Sequence, residues 1–148
     1  MNRRIYFAYG SNMTRQPMSK RCPEAELMGV AVLDGYRFLI NSWGVATIIE
    51  DSSSEVIGIV WKISDKDERS LDIYEGVAAG VYVKKQMEIT SVTEEDDHHH
   101  VSALVYVAAD SAPGKSRTGY VDAIIDAAVR KGFPKVYIEE LKKPHAMP

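Results

Sequence analysis

Apolar positions along this chain follow two periods, and each change of period marks an element. The run Ile5-Tyr6-Phe7-Ala8-Tyr9, closed by Gly10-Ser11-Asn12, predicts a first strand over residues 3–9. Residues 14–21 predict a helical turn or two, interrupted by Pro17 and stopped before Pro23. Three β-rich segments follow at about 26–33, 36–41 and 44–50, with Asp34-Gly35 and Trp43-Gly44 as turn signals. The segment Glu55–Ile63 is almost continuously apolar and predicts a strand covered on both faces. At Ser64 the period changes. Ser64 reads as an N-cap ahead of Asp65, Asp67 and Glu68, and the helix it opens runs to about Glu75 and stops at Gly76. Residues 80–92 and 101–108 read as two long strands joined by the charged segment Glu94–His100. Two helices close the chain, 117–131 ended by Gly132 and 134–142 opened by Pro134. Six or seven strands with few helices imply an α+β domain on a curled, mostly antiparallel, barrel-like sheet.

Bulk properties narrow the choice. A length of 148 residues fits a single domain, 1–148, with room for a core and one pocket. The net charge is −3 and no long Lys/Arg run appears, which argues against nucleic acid or an anionic membrane surface as the main partner. The single cysteine, Cys22, excludes an internal disulfide framework and fits a reducing compartment. The apolar run at 5–9 is too short for a signal-peptide core and nothing else reaches the length of a membrane span, so a cytoplasmic location is expected.

Two segments carry candidate chemistry. Tyr9-Gly10-Ser11-Asn12 directly follows a strand, where glycine lets consecutive N–H groups converge on a carboxylate or phosphate; a plain turn has the same composition. Glu75 stands four residues after Leu71 in the next helix, so the two share a face, and a core-facing Leu71 turns Glu75 inward. Burial and the negative end of the helix dipole would both raise its pKa, as suits a group that accepts a proton and returns it. A solvated glutamate at a frayed helix end is the plainer reading. Ser11 lacks the Gly-x-Ser-x-Gly surroundings of a nucleophilic serine. His98-His99-His100 reads as a solvated hairpin tip, because neighbours on an extended chain point apart and make poor metal ligands. Cys22 reads as a partly buried thiol, and Arg130, Lys131, Lys135, Lys142 and Lys143 as a solvated face.

The ordered set of motifs resembles the γ-glutamylcyclotransferase family. It begins at Ile5–Met13 and continues through Gly44–Ile48 and Glu55–Trp61. It is most specific at Leu71–Tyr82, and it includes Ser111-Ala112-Pro113 and Tyr120. The resemblance implies that Tyr9, Gly10, Ser11 and Asn12 hold a glutamyl α-carboxylate through backbone donors, and that Glu75 is the general acid/base. Tyr82 and Tyr120 would line the cavity and hold the substrate or orient Glu75. The implied reaction is attack of the glutamyl α-amine on its own γ-carbonyl, releasing 5-oxoproline and an amino acid or amine. It needs no metal, nucleotide or redox cofactor. A homodimer is implied by the likeness alone. The same chemistry on a γ-glutamylamine, or on a biosynthetic γ-glutamyl protecting group, is the second reading. The segment Ile40–Gly44 is shorter than its counterpart in the animal γ-glutamyl-amino-acid enzymes, which ties substrate preference to this loop and to Trp43. A non-catalytic binding module of the same fold is the alternative of another class, and the inward Glu75 weighs against it.

Overall fold

A computed structural model of the chain describes residues 3–92 and 98–143. Five strands, β1 (Arg3–Ala8), β2 (Glu26–Ile40), β3 (Ala46–Ser64), β4 (Tyr82–Val92) and β5 (His98–Ala108), close into a barrel in the order β1-β3-β2-β4-β5. Helices α1 (Arg15–Arg21), α2 (Asp65–Tyr74), α3 (Tyr120–Arg130) and α4 (Lys135–Lys142) flank it. Every pairing is antiparallel except the closing one, where β1 runs parallel to β5 at Tyr6 and Leu104. The fold is α+β with a curled, mostly antiparallel sheet, as expected.

The strand count falls to five because two of the expected breaks do not break. Residues 26–33 and 36–41 lie on one strand, and 44–50 and 55–63 contribute to another. Asp34-Gly35 is a bulge, not a turn: Gly35 takes φ +84° while the register passes from Asp34–Glu55 to Tyr36–Glu50. The surplus residues on β3, 51–54, curl around the Asp51 carboxylate, which accepts from the Ser53 N–H and from the hydroxyls of Ser53 and Ser54. Trp43-Gly44 is a true turn, with Gly44 at φ +81° donating to the Asn41 carbonyl at 2.9 Å. Pro17 does not interrupt α1. It falls in the first turn, where an N–H has no intrahelical partner in any case.

The histidine cluster also departs from expectation. β5 begins at His98, so His98–His100 belong to the ladder, with His99 opposite Ser91 and His100 opposite Thr90. Glu94–Asp97, the rest of the expected connector, lie outside the described residues. Among the described residues no group of three His, Cys, Asp or Glu side chains is placed to hold a metal, and no helix is long and apolar enough to cross a membrane.

Packing explains why β3 and α2 can position a site. Val56, Ile57, Ile59, Val60 and Trp61 are all buried, so the strand is covered on both faces as its unbroken apolar run requires. Gly58 lets β1 come close: a Cβ there would stand 2.5 Å from the Ala8 carbonyl oxygen. At the junction with α2, the Ser64 hydroxyl accepts from the Asp67 N–H at 3.1 Å while the Asp67 carboxylate accepts from the Ser64 N–H at 3.3 Å. Leu71 is fully buried, and the helix ends where Gly76 adopts φ +64°.

Candidate active site

One end of the barrel holds a cavity of about 520 Å³, within the range of small-molecule sites. Six stretches distant in sequence form its wall: β1 with the loop after it, the loop before β3 with that strand's first residue, the end of α2, the start of β4, Tyr106 on β5 and the entry to α3. All seven residues singled out from the sequence border it, namely Tyr9, Gly10, Ser11, Asn12, Glu75, Tyr82 and Tyr120.

The loop 9–12 works differently from the nest that its composition suggests. Gly10 does not adopt positive φ. A Cβ at this position would lie 3.4 Å from the Ala46 Cβ and 3.6 Å from the Tyr120 hydroxyl, so glycine here leaves room in the cavity. Among the described residues, no acceptor meets the backbone N–H groups of Gly10, Ser11 and Asn12. These are the donors a ligand carboxylate would need. The Asn12 side chain is taken up in holding the loop. Its amide donates to the Tyr6 hydroxyl at 2.9 Å and its amide oxygen accepts from Arg21, while its carbonyl accepts from the buried Trp61 Nε1–H at 2.9 Å.

Three tyrosine hydroxyls divide into two kinds. Tyr9 donates to the Tyr106 carbonyl and Tyr82 to the Ala46 carbonyl, each at 2.6 Å, so their protons are committed to backbone. Tyr120 instead accepts from the Ala46 N–H at 3.1 Å, which leaves its own proton for an acceptor in the cavity. Burial is the main cause pushing the Tyr120 phenol up to about 12, and the Glu75 charge adds to it, so at neutral pH it is a donor.

Glu75 is the capping residue at the C-terminal end of α2, and its N–H donates to the Leu71 carbonyl at 2.8 Å. It is half-buried on the cavity wall. Loss of solvent raises its carboxyl to about 7, against a smaller downward pull from Arg21. Its proton can therefore come and go near neutral pH. Burial likewise pushes the Cys22 thiol up to about 12, so this cysteine stays protonated and inert.

Arg21 is the residue that sequence reasoning passed over. It reaches from the end of α1 to donate to the Asn12 side chain and, at 3.4 Å, to the Ser11 hydroxyl. Its guanidinium carbon also lies 3.5 Å above the centre of the Tyr74 ring, one residue before Glu75. It thus ties loop 9–12 to the end of α2. Tyr6, Tyr74, Tyr106 and Arg117 also line or support the cavity without any local signature that marks them. The short loop after β2 does edge the cavity, through Trp43. It is pinned there by Asn41, whose amide oxygen accepts from the Trp43 and Val45 N–H groups at 3.1 and 3.2 Å.

A barrel of this topology, with a half-buried glutamate on the wall of its cavity, has counterparts among known proteins. Residues 55–141 match the AIG2-like family. Human γ-glutamylcyclotransferase is 32% identical over 93% of this chain and 77% of its own length, and the mouse protein matches to the same extent. A solved γ-glutamyl cyclotransferase superposes with a TM-score of 0.81 at 29% identity, covering 99% of this chain and 90% of that one. The solved structure of an uncharacterized human protein gives 0.84 at 29% identity with the same coverage. The chain belongs to the AIG2-like family and, within it, is an enzyme of the γ-glutamylcyclotransferase kind.

Proposed function

We propose that this enzyme releases 5-oxoproline from a γ-glutamyl compound by intramolecular attack, with Glu75 shuttling the protons. The observation that carries the reading is the Glu75 carboxyl, held near 7 by burial in the same cavity as the unbonded N–H groups of loop 9–12.

The substrate carries its nucleophile and its electrophile in one molecule, so the site has only to hold a near-attack shape. Well-oriented intramolecular reactions gain effective molarities of about 10⁵–10⁸ M. The N–H groups of Gly10, Ser11 and Asn12 would grip the glutamyl α-carboxylate, with Tyr9 and Tyr82 as walls. That places the neighbouring ammonium toward Glu75. As a carboxylate, Glu75 takes one proton from the ammonium, and the freed amine forms the new C–N bond at the γ-carbonyl. The carbonyl oxygen becomes an oxyanion, and the Tyr120 hydroxyl would stabilise it by donating a hydrogen bond, its own proton being uncommitted to the backbone. Such a donor is typically worth about 3–4 kcal/mol of barrier. Glu75 then passes its proton to the departing nitrogen as the old C–N bond breaks. The ring nitrogen loses its second proton by the same route. Two protons in all move from the α-nitrogen to the departing amine, and Glu75 ends as it began. The step needs no metal or redox cofactor.

Release of 5-oxoproline from γ-glutamyl dipeptides and γ-glutamylamines, followed by chromatography, tests the reaction. Glu75→Gln should retain the fold and lose turnover by at least about a hundredfold, since an amide cannot carry the proton. Near-normal turnover in that variant would remove Glu75 from the mechanism.

A further inference from the structure

The rim of the cavity carries a charge that the cyclisation does not use. Depth sorts the lining residues: Tyr6, Phe7 and Tyr9 are buried at the floor, whereas Trp43 and Tyr74 are 43% and 47% exposed and Arg117 is exposed beside them. With the glutamyl unit held by loop 9–12 as proposed above, the rim is the part of the cavity left for the group on the far side of the scissile bond.

Arg117 is the one basic side chain among the described residues that line the cavity. Its Nε–H donates to the Trp43 carbonyl at 2.9 Å, and its backbone N–H to the Gly44 carbonyl at 3.2 Å. Gly44 permits this approach, since a Cβ there would stand 2.8 Å from the Arg117 Cγ. The stem is thereby fixed, and the two terminal amino groups remain for a ligand. No carboxylate pairs with Arg117 among the described residues. An anchored, unpaired guanidinium beside Val45 and Trp43 suits an organic anion. Loop 9–12 already supplies donors for the glutamyl carboxylate, so this anion is a second one.

We propose that Arg117 selects a departing amine that bears its own carboxylate, so that γ-glutamyl amino acids are taken in preference to γ-glutamylamines. The proposal rests on the cyclisation reading above. Ring closure makes no demand on the departing group beyond its nitrogen, so the preference is one of binding. Trp43 and Tyr74 add aromatic faces for an apolar side chain on that amino acid.

γ-Glutamylalanine and γ-glutamylisopropylamide test this as a near-isosteric pair, in which a methyl group replaces the carboxylate. The wild-type enzyme should favour the alanine compound by about tenfold in kcat/KM, the size of one charge-assisted contact at a partly exposed site. Arg117→Gln should bring the ratio close to one, mainly through KM for the alanine compound, and Arg117→Lys should restore part of it. Thermal melts identify the variants that fold, and the lysine variant alone suffices: its ratio should fall between wild type and one. A wild-type ratio near one, a ratio untouched by either substitution, or an equal loss on both compounds overturns the assignment. The last of these would place Arg117 on the glutamyl carboxylate. No 5-oxoproline from either compound is a separate failure, that of the cyclisation reading itself.

Discussion

At the scale of single residues, the same desolvation that fits Glu75 for proton transfer makes it a liability for the fold. Its carboxyl is raised from 4.5 to about 7 on folding. Between those values the folded chain holds a proton that the unfolded chain has released, so stability falls as pH rises through this window. Below it the cost is absent, and above it the cost is complete. At about 1.4 kcal/mol per unit, the upper limit is about 3 kcal/mol. Glu75→Gln removes the ionisation, so its Tm should exceed that of the wild type by several degrees at about pH 8, with the gap closing toward about pH 4.5. A gap that is flat with pH in thermal melts would mean that the carboxylate is solvated, and the proposed mechanism would lose its premise. The placement of Glu75 on the cavity wall was legible in the sequence because its orientation follows from Leu71 one turn earlier on the same helix. Arg21 was not. Its partners Ser11, Asn12 and Tyr74 are brought to it by tertiary packing, and no short-range spacing announces that.

At the scale of elements, helix α2 carries Glu75 at its C-terminal end, and its N-terminal end is fixed by a cap of its own. The Ser64 hydroxyl caps the helix and also donates to the Glu24 carboxylate at 2.6 Å, while the buried Asp67 carboxylate accepts from the Glu24 N–H at 3.4 Å. Ser64→Ala should cost about 1 kcal/mol, read as a lowered denaturation midpoint. Turnover by the folded fraction should change little, because Glu75 sits at the opposite end of the helix. A variant as stable as wild type would show that the cap contributes nothing. The cap, the run of β3 and the stop at Gly76 could all be read from the sequence, since each depends on neighbours within one turn or along one strand. The merging of segments into β2 and β3 could not. Asp34-Gly35 and 51–54 have the composition of turns, and only the cross-strand ladder, resumed on both sides of the bulge, keeps each within one strand. Pro17 misled for the opposite reason, because its effect on a helix depends on a start point that local composition leaves open.

At the scale of the whole molecule, the cavity exists only when the barrel is closed. Its lining runs from Tyr6 to Tyr120, and the strand pair that closes the ring joins Tyr6 on β1 to Leu104 on β5. Nearly the whole chain must therefore be in place before Glu75 faces loop 9–12. Trp61 is a natural reporter of that state: it is 1% exposed, and its indole N–H holds the Asn12 carbonyl directly behind the loop. The chain has two tryptophans, and Trp43→Phe removes the exposed one at the rim, so emission from that variant reports Trp61 alone. In urea its emission should shift to the red in a single transition, and turnover measured on the same variant should be lost over the same range. The cooperativity is expected because strands from both ends of the chain are neighbours in one closed sheet, leaving no edge from which a part could peel away. If turnover vanished at urea concentrations well below the Trp61 transition, the active end would be opening as a local unit. The site would then depend on contacts such as Arg21 on Tyr74, and not on closure of the barrel.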